Sequence, residues 1–233
     1  MQISALTKFS LIDFPGQVAC IVFTPGCNFR CEFCHNSEFV LPEKLSEVYK
    51  NLIPITSFFE FLEKRKGLLT GVSICGGEPT MQKGLLEFCR KIKEMGFLVK
   101  LDTNGRDPEI LKELLDKGLV DYVATDIKNK IGSLSDLAGV NVDEKIYLQS
   151  IRVLLDSEVD YEFRTTVIKG VHDEHVIENI AKYITTAKAY YLQNYKGGNT
   201  LNPDFKGQSF TEGELEKFKQ IATQYIKNVG IRE

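Results

Sequence analysis

No stretch of this chain approaches the roughly 18 consecutive apolar residues that a membrane-spanning helix requires, so no membrane span is expected. Residues 1–10 lack a basic segment followed by an apolar run, so no signal peptide is expected either. Positive charge is not in excess: 29 Lys and Arg stand against 32 Asp and Glu. That balance gives no electrostatic case for nucleic acid as a partner, which usually calls for a strongly basic surface. Repeats, low-complexity tracts and evident linkers are missing, and the 233 residues fit a single domain over 1–233. With 43% hydrophobic and 26% charged residues the composition is ordinary for a globular protein, and the chain is long enough to bury a core without covalent staples. The six cysteines therefore point to a reducing, cytoplasmic setting, where clustered thiols are metal ligands or catalytic groups rather than disulfides.

What is present is an alternation of strand and helix patterns. Short apolar runs, many β-branched, predict strands over 19–24, 71–75, 97–102, 121–126, 161–168 and 189–193. Helical spacing predicts helices over 55–66, 83–95, 108–117, 144–157, 173–185 and 211–227. The last opens on Thr211-Glu-Gly-Glu214, a capping box, and Gly96 and Gly118 supply helix stops. Such β-α units imply a mostly parallel sheet, arranged as a barrel, an incomplete barrel or a doubly wound open sheet. In each of these folds ligands bind at the C-terminal ends of the strands. The unusual residues of this sequence fall at those ends.

Cys27, Cys31 and Cys34 lie in Thr24-Pro-Gly-Cys-Asn-Phe-Arg-Cys-Glu-Phe-Cys-His-Asn36, a Cys-x3-Cys-x2-Cys spacing. Three thiolates on one short loop can hold three irons of a four-iron cluster, leaving the fourth iron without a protein ligand. Clusters that only transfer electrons usually take four cysteines, so a missing ligand suggests a cluster that binds and transforms something else. Zinc is the competing metal, with His35 as a fourth ligand, but structural zinc sites often use two separated pairs and no second pair follows. Cys31-Glu-Phe-Cys34-His35 is also the string of c-type haem attachment. That reading needs an exported protein and leaves Cys27 without a role.

Gly76-Gly77-Glu78-Pro79 ends the second strand. Its glycines let a ligand approach the backbone and its carboxylate can accept from an ammonium group, although the same string can be a plain turn. Asp102, Thr103 and Asn104 are either ligand contacts or a strand-end turn completed by Gly105. Asp126 and Lys128 flank one residue, which on a strand puts both on one face. A surface ion pair is the plain alternative.

The cysteine loop, with aromatic Phe33 before its last cysteine, and Gly76-Gly77-Glu78-Pro79 together resemble the radical S-adenosylmethionine (SAM) enzymes. The resemblance implies an α/β fold, a partial (β/α)6 TIM-like barrel, with one [4Fe-4S] cluster on Cys27, Cys31 and Cys34. It implies that SAM chelates the open iron through its amino and carboxylate groups. One electron would cleave its C–S bond to give methionine and a 5′-deoxyadenosyl radical. No side chain is then catalytic beyond the cluster and SAM, and the protein positions them. Gly76, Gly77, Glu78 and Pro79 would receive the methionine ammonium. Phe33 would lie against the adenine, unless it is a core residue. Asp102, Thr103, Asn104, Asp126, Lys128 and Arg164 are candidates for SAM contacts, with Gln193 added from the end of the sixth strand.

Within that family, Ser10-Leu-Ile-Asp-Phe-Pro-Gly16, Thr24-Pro-Gly-Cys27 and Cys34-His-Asn36 resemble the activases of glycyl radical enzymes. The short chain and Tyr190-Tyr-Leu-Gln-Asn-Tyr195 resemble those of anaerobic ribonucleoside-triphosphate reductase, with the pyruvate formate-lyase activases as neighbours. The implied partner is a glycyl radical enzyme. A small-molecule enzyme such as a carboxydeazaguanine synthase would instead need dedicated substrate ligands, of which no clear set is visible. Some similar activases insert extra cysteine clusters after the first motif, but no cysteine falls between Asn36 and Ile74. One cluster is expected, with its electron supplied by a flavodoxin or ferredoxin. Cys20, Cys75 and Cys89 are expected to pack as small buried hydrophobes. His35 is expected to shape its loop, and His172 and His175 to open a helix without a visible partner.

Overall fold

β1 (Ala5–Ser10), a strand that the sequence pattern does not announce, pairs antiparallel with β2 (Ala19–Thr24), Ala5 facing Phe23 and Leu6 facing Val22. Thr7, Lys8 and Phe9 are exposed, so β1 lacks the buried apolar run by which a strand is recognised. The computed structural model describes residues 1–198 and 200–232, whose contacts gather into two units. Unit one is Met1–Asn28, Asn36–Thr103 and Glu109–Val123; unit two is Phe29–His35, Asn104–Pro108 and the chain from Ala124 onward. Among the described residues no helix is long and apolar enough to cross a membrane.

In unit one the chain continues through α1 (Pro42–Lys50), α2 (Ile55–Glu63), β3 (Gly71–Gly76), α3 (Leu85–Glu94) and β4 (Leu98–Thr103) to α4 (Pro108–Asp116). The strand order is β1-β2-β3-β4. β2 is buried along nearly its whole length, the pattern of a central strand covered on both faces. Its side of the core is a cluster in which Phe88 of α3 meets Phe58 and Phe59 of α2 at ring distances of 5.2 and 5.5 Å. Truncating a ring packed in this way costs ~3–5 kcal/mol, so the cluster locks the two helices together. β2 and β3 run parallel in unbroken register from Ala19 opposite Gly71 to Thr24 opposite Gly76. The loops that carry Cys27 and Glu78 therefore leave the sheet at the same level. α1 begins with Pro42 and buries no residue, so it gives no apolar periodicity to read.

β5 (Tyr122–Asp126) begins in unit one and ends in unit two. Unit two then holds α5 (Leu134–Ala138), α6 (Glu144–Leu155), β6 (Asp160–Val167), α7 (Glu174–Tyr183), β7 (Tyr190–Asn194), α8 (Glu212–Ala222) and β8 (Val229–Arg232). β6, β7 and β8 are parallel neighbours, with Arg164 opposite Tyr191, Thr166 opposite Gln193, and Gln193 opposite Arg232. Side chains alternate along a strand. On β6, Tyr161, Phe163, Thr165 and Val167 are buried on one face, and Glu162, Arg164 and Thr166 share the other. The register continues that polar face through Tyr191 and Gln193 to Arg232. α8 opens with the expected capping box: the Thr211 hydroxyl accepts from Glu214 N and the Glu214 carboxylate accepts from Thr211 N. The five-residue α5, ended by Gly139 at φ +65°, and the four-residue β8 are too short to leave a pattern in the sequence.

Candidate active site

The loop after β3 is bound to the loop after β2 by main-chain bonds. Gly77 N donates to Thr24 O at 2.8 Å and Glu78 N to Gly26 O at 2.7 Å. The Asn36 amide donates to Gly76 O at 3.2 Å. The approach is so close that a β-carbon on Gly77 would stand 1.9 Å from the Gly26 oxygen. One on Gly76, whose φ is +112°, would stand 2.3 Å from Thr24 N. Glycine at both positions is a steric demand. Gly26 N donates in turn to Phe39 O at 2.7 Å, which holds the backbone just before Cys27.

Glu78 is fully buried and caps the short 3-10 turn Pro79–Met81. Its Oε1 accepts from Thr80 N at 3.0 Å, from the Thr80 hydroxyl at 2.7 Å and from the Thr103 hydroxyl at 2.7 Å. These donors compensate the burial of the carboxylate and fix its orientation. Asp102, on β4, accepts from the Ser73 hydroxyl of β3 at 3.1 Å and is ion-paired with Lys100, which is itself buried.

In unit two, Cys34 N donates to Cys31 O at 3.0 Å and closes a tight turn between the two cysteines. Arg30 N donates to Ala138 O at 2.7 Å, Asn202 N to Glu32 O at 3.0 Å and Leu201 N to Cys34 O at 2.9 Å. The segment that carries the cysteines is thus clamped on both sides. Phe33 is buried, its ring 6.1 Å from that of Phe205, with the Lys128 ammonium 5.7 Å from its centroid. Asn104 accepts from Arg106 N at 3.0 Å, and Gly105 turns at φ +76° against Thr125 and Tyr147, so a strand-end turn is present here.

Asp126 lies between two cations. Arg164 Nε donates to its Oδ1 at 2.9 Å and Lys128 Nζ to its Oδ2 at 3.4 Å. Burial alone would raise the Asp126 pKa, but the charges of Arg164 and Lys128 overcome it and hold the carboxyl at about 2. Burial also disfavours the Lys128 charge, and is outweighed by Cys31, Asp126 and Cys34, so that the ammonium is held more firmly than in water. Burial pushes the Cys31 thiol up, with Lys128 pulling the other way. Glu162, fully buried, takes both Nη atoms of Arg232 at 2.5 and 2.7 Å. Arg232 in turn lies 3.7 Å over the Tyr191 ring.

A family model described as the Radical SAM superfamily matches residues 21–182. The chain belongs to that superfamily. It is 34% identical over 236 residues to a protein of Methanocaldococcus jannaschii provisionally named a glycyl-radical enzyme activating enzyme, over 99% of this chain and 95% of that one. It is 27% identical over 248 residues to a pyruvate formate-lyase-activating enzyme of Clostridium pasteurianum, over 98% of each chain. A 7-carboxy-7-deazaguanine synthase of Thermococcus kodakarensis is 28% identical over 179 residues, 70% of this chain and 67% of that one. Among solved structures, a domain of a pyruvate-formate lyase-activating enzyme from Bacteroides vulgatus matches with a TM-score of 0.58 at 22% identity, over 70% of this chain and 99% of that domain. The fold is the α/β partial barrel of radical SAM enzymes, and the protein is an enzyme of that kind.

Radical SAM enzymes use a [4Fe-4S] cluster and SAM, and the donor set of this radical SAM protein fits them in kind. Cys27 is half-buried in unit one; Cys31 and Cys34 stand in unit two within the field of Lys128, whose charge favours the thiolate that iron requires. Among the described residues no three His, Cys, Asp or Glu side chains form a metal-holding group on their own, so the fit rests on the chemistry of the thiols and not on a preformed cage. Cys20 and Cys89 are fully buried, and burial pushes both thiols up to about 12, as befits core packing. Cys75 is only half-buried, against the expectation of a core residue, because it lies at the C-terminal end of β3, one residue beyond the last pair with β4.

His35 shapes its loop as expected, its Nε2 2.7 Å from Lys196 O. His172 does have partners, contrary to the sequence reading. Its Nδ1 accepts from Ile168 N at 3.0 Å, so Nε2 carries the proton that meets Lys128 O at 3.0 Å, and burial lowers its pKa. It therefore holds the backbone of Lys128. Ser73, Thr80, Lys100, Glu162 and Arg232 were not singled out from the sequence. A lysine and a glutamate inside apolar strands are signals that could have found Lys100 and Glu162, since such residues are rarely buried without partners. Arg232, near the chain end, offered none.

Proposed function

We propose that this radical SAM enzyme is an activase that generates a glycyl radical on a partner enzyme, anaerobic ribonucleoside-triphosphate reductase. The observation that carries the activase reading is similarity over essentially the full length, 99% of this chain and 95% of the relative, to a protein named for glycyl-radical enzyme activation. The choice of partner is supported by the resemblance of Tyr190-Tyr-Leu-Gln-Asn-Tyr195 to the activases of that reductase. In this reading Cys27, Cys31 and Cys34 hold the cluster in a reducing cytoplasm, and a flavodoxin or ferredoxin supplies the electron. When bound, the cluster and SAM provide the 5′-deoxyadenosyl radical that removes a hydrogen atom from a backbone glycine.

The side chains bind, orient and hold charge. In unit one, Gly76 and Gly77 expose backbone, and Glu78, fixed by Thr80 and Thr103, receives the methionine ammonium, with Pro79 setting the turn behind it. Asp102 is held ready by Ser73 and Lys100. In unit two, Arg164, fixed by Asp126, would meet the SAM carboxylate, Lys128 and Asp126 would help hold SAM, Phe33 would lie against the adenine, and Asn104 would be a further contact. The test is electron paramagnetic resonance on reduced, reconstituted protein mixed with SAM and the reductase. A glycyl doublet with one 5′-deoxyadenosine formed per radical supports the proposal. SAM cleavage with no radical on the reductase or on pyruvate formate-lyase would favour a small-molecule substrate, the chemistry named for the Thermococcus relative.

A further inference from the structure

Three successive carbonyls, those of Asp126, Ile127 and Lys128, are each held by a buried side chain from a different part of unit two. The Tyr147 hydroxyl of α6 donates to Asp126 O at 2.8 Å. The Thr165 hydroxyl of β6 donates to Ile127 O at 2.7 Å and accepts from the Tyr190 hydroxyl of β7 at 2.8 Å. His172, in the turn before α7, meets Lys128 O through Nε2 at 3.0 Å. The other ring nitrogen decides who donates: Nδ1 accepts from Ile168 N at 3.0 Å, so the proton is on Nε2. Burial lowers the pKa of the ring and keeps Nδ1 free to accept. Tyr147, Thr165, His172 and Tyr190 are all 4% exposed or less. Buried polar groups cost stability unless they are paired, and here the pairing converges on one short stretch of backbone.

That stretch carries charge into the site. β5 ends at Asp126, and the bond from Ile127 N to Arg164 O at 2.7 Å carries the pairing one residue further. The Lys128 ammonium lies 3.4 Å from Asp126 Oδ2 and 5.7 Å from the centre of the Phe33 ring. A flexible four-carbon stem separates the ammonium from its backbone, so the charge is placed closely only if the backbone does not move. His172 supplies the outermost of the three bonds and reaches across 44 positions of sequence to do so. An apolar side chain would serve if the turn needed only to be filled. An imidazole with both nitrogens engaged ties the turn to Lys128. We propose that His172 is a positioning residue for SAM: by donating to Lys128 O it fixes the backbone from which the Lys128 ammonium reaches SAM. The inference rests on the reading of Lys128 as a SAM contact and adds to it the residue through which that contact is placed.

Two conservative variants separate the two bonds of the ring. Asparagine places its oxygen near Nδ1 and still accepts from Ile168 N, but falls short of Lys128 O. Glutamine places its amide near Nε2 and still donates to Lys128 O. SAM affinity is measured by equilibrium dialysis on the reconstituted protein, with urea unfolding of each variant alongside. His172→Asn should weaken SAM binding about three- to tenfold, the loss for one hydrogen bond, and His172→Gln should stay within about twofold of native. Lys128→Met should weaken binding too, and adding His172→Asn to it should cost nothing more, because both act through one ammonium. The ¹⁵N spectrum of the protein should show the His172 proton on Nε2. Native-like affinity in His172→Asn overturns the proposal, as does further loss when it is added to Lys128→Met, or a proton on Nδ1. Should His172→Asn not fold, His172→Gln decides, and a loss beyond about twofold overturns the proposal. Unchanged affinity in Lys128→Met removes Lys128 from the SAM site and the proposal with it. Weakened binding in Lys128→Met beside native-like binding in His172→Asn defeats the positioning role alone.

Discussion

Gly77→Ala puts the tightest contact of the site to the test. The new methyl would lie 1.9 Å from the Gly26 oxygen and 2.5 Å from its carbonyl carbon, both backbone atoms that cannot rotate aside. Relief requires one loop to retreat from the other by more than an ångström. That movement strains the packing by ~1–3 kcal/mol. It also breaks or stretches the bonds from Gly77 N to Thr24 O and from Glu78 N to Gly26 O, at ~1 kcal/mol each. The expected loss is about 3–5 kcal/mol, a large part of the ~5–15 kcal/mol that holds a domain folded. Gly67→Ala is the control: Gly67 has a left-handed φ of +77° but nothing within 4 Å of the new carbon, so only the backbone cost of ~1–2 kcal/mol applies. Urea unfolding of the two variants under anaerobic conditions, followed by circular dichroism, gives the difference directly. Equal losses for the two would show that the close approach of the two loops does not exist in solution.

Three further outcomes are expected. Thr103→Val removes a donor to buried Glu78 and should cost ~1–3 kcal/mol in urea unfolding, with weaker SAM binding by equilibrium dialysis. Glu162→Gln strips the charge that balances Arg232; because Arg232 is about one-third exposed, the loss should fall below the ~3–5 kcal/mol of a fully buried pair, near ~2–3 kcal/mol by the same unfolding assay. The carboxyl of Glu214 is held at about 2 by the Lys169 ammonium and the Thr211 cap, below its ordinary 4.5. A depressed carboxyl stabilises above its unfolded value and loses that contribution as pH falls. Stability measured against pH should therefore decline between about 4.5 and 2 more steeply in the native protein than in Glu214→Gln.

How far the sequence reveals this molecule depends on how strongly each element is patterned. β2 through β7 are read because each buries an apolar run, and α3 because Leu85, Phe88, Cys89 and Ile92 recur at helical spacing on its buried side. β1, α1, α5 and β8 escape because they are exposed or short. The site follows the same logic. Cys27, Cys31, Cys34 and Gly76-Gly77-Glu78-Pro79 stand out because their residue types and spacing are rare. Lys100, Glu162 and Ser73 do not, because what they do depends on a partner a strand away. Ser73 reaches Asp102 across twenty-nine positions of sequence, and Arg232 reaches Glu162 across seventy. His172 shows the same limit: a histidine at a helix start gives no hint that its ring bridges Ile168 and Lys128.

The polar face of unit two carries a consequence of its own. Its charges alternate as Lys128, Asp126, Arg164, Glu162 and Arg232, so each carboxylate lies between two cations. An incoming anion therefore meets positive ends already fixed in place, and pays little to reorganise them. Among the described members of this ladder two carboxylates face three cations, and Cys31 and Cys34 lie within the field of Lys128 together with Asp126. Replacing Asp126 by Asn would not merely remove one contact. It would leave Lys128 and Arg164 facing each other unscreened at partly buried positions, which costs more than the lost hydrogen bonds and drives the two cations apart. The order of this ladder, more than any single residue in it, keeps the face ready for negative charge.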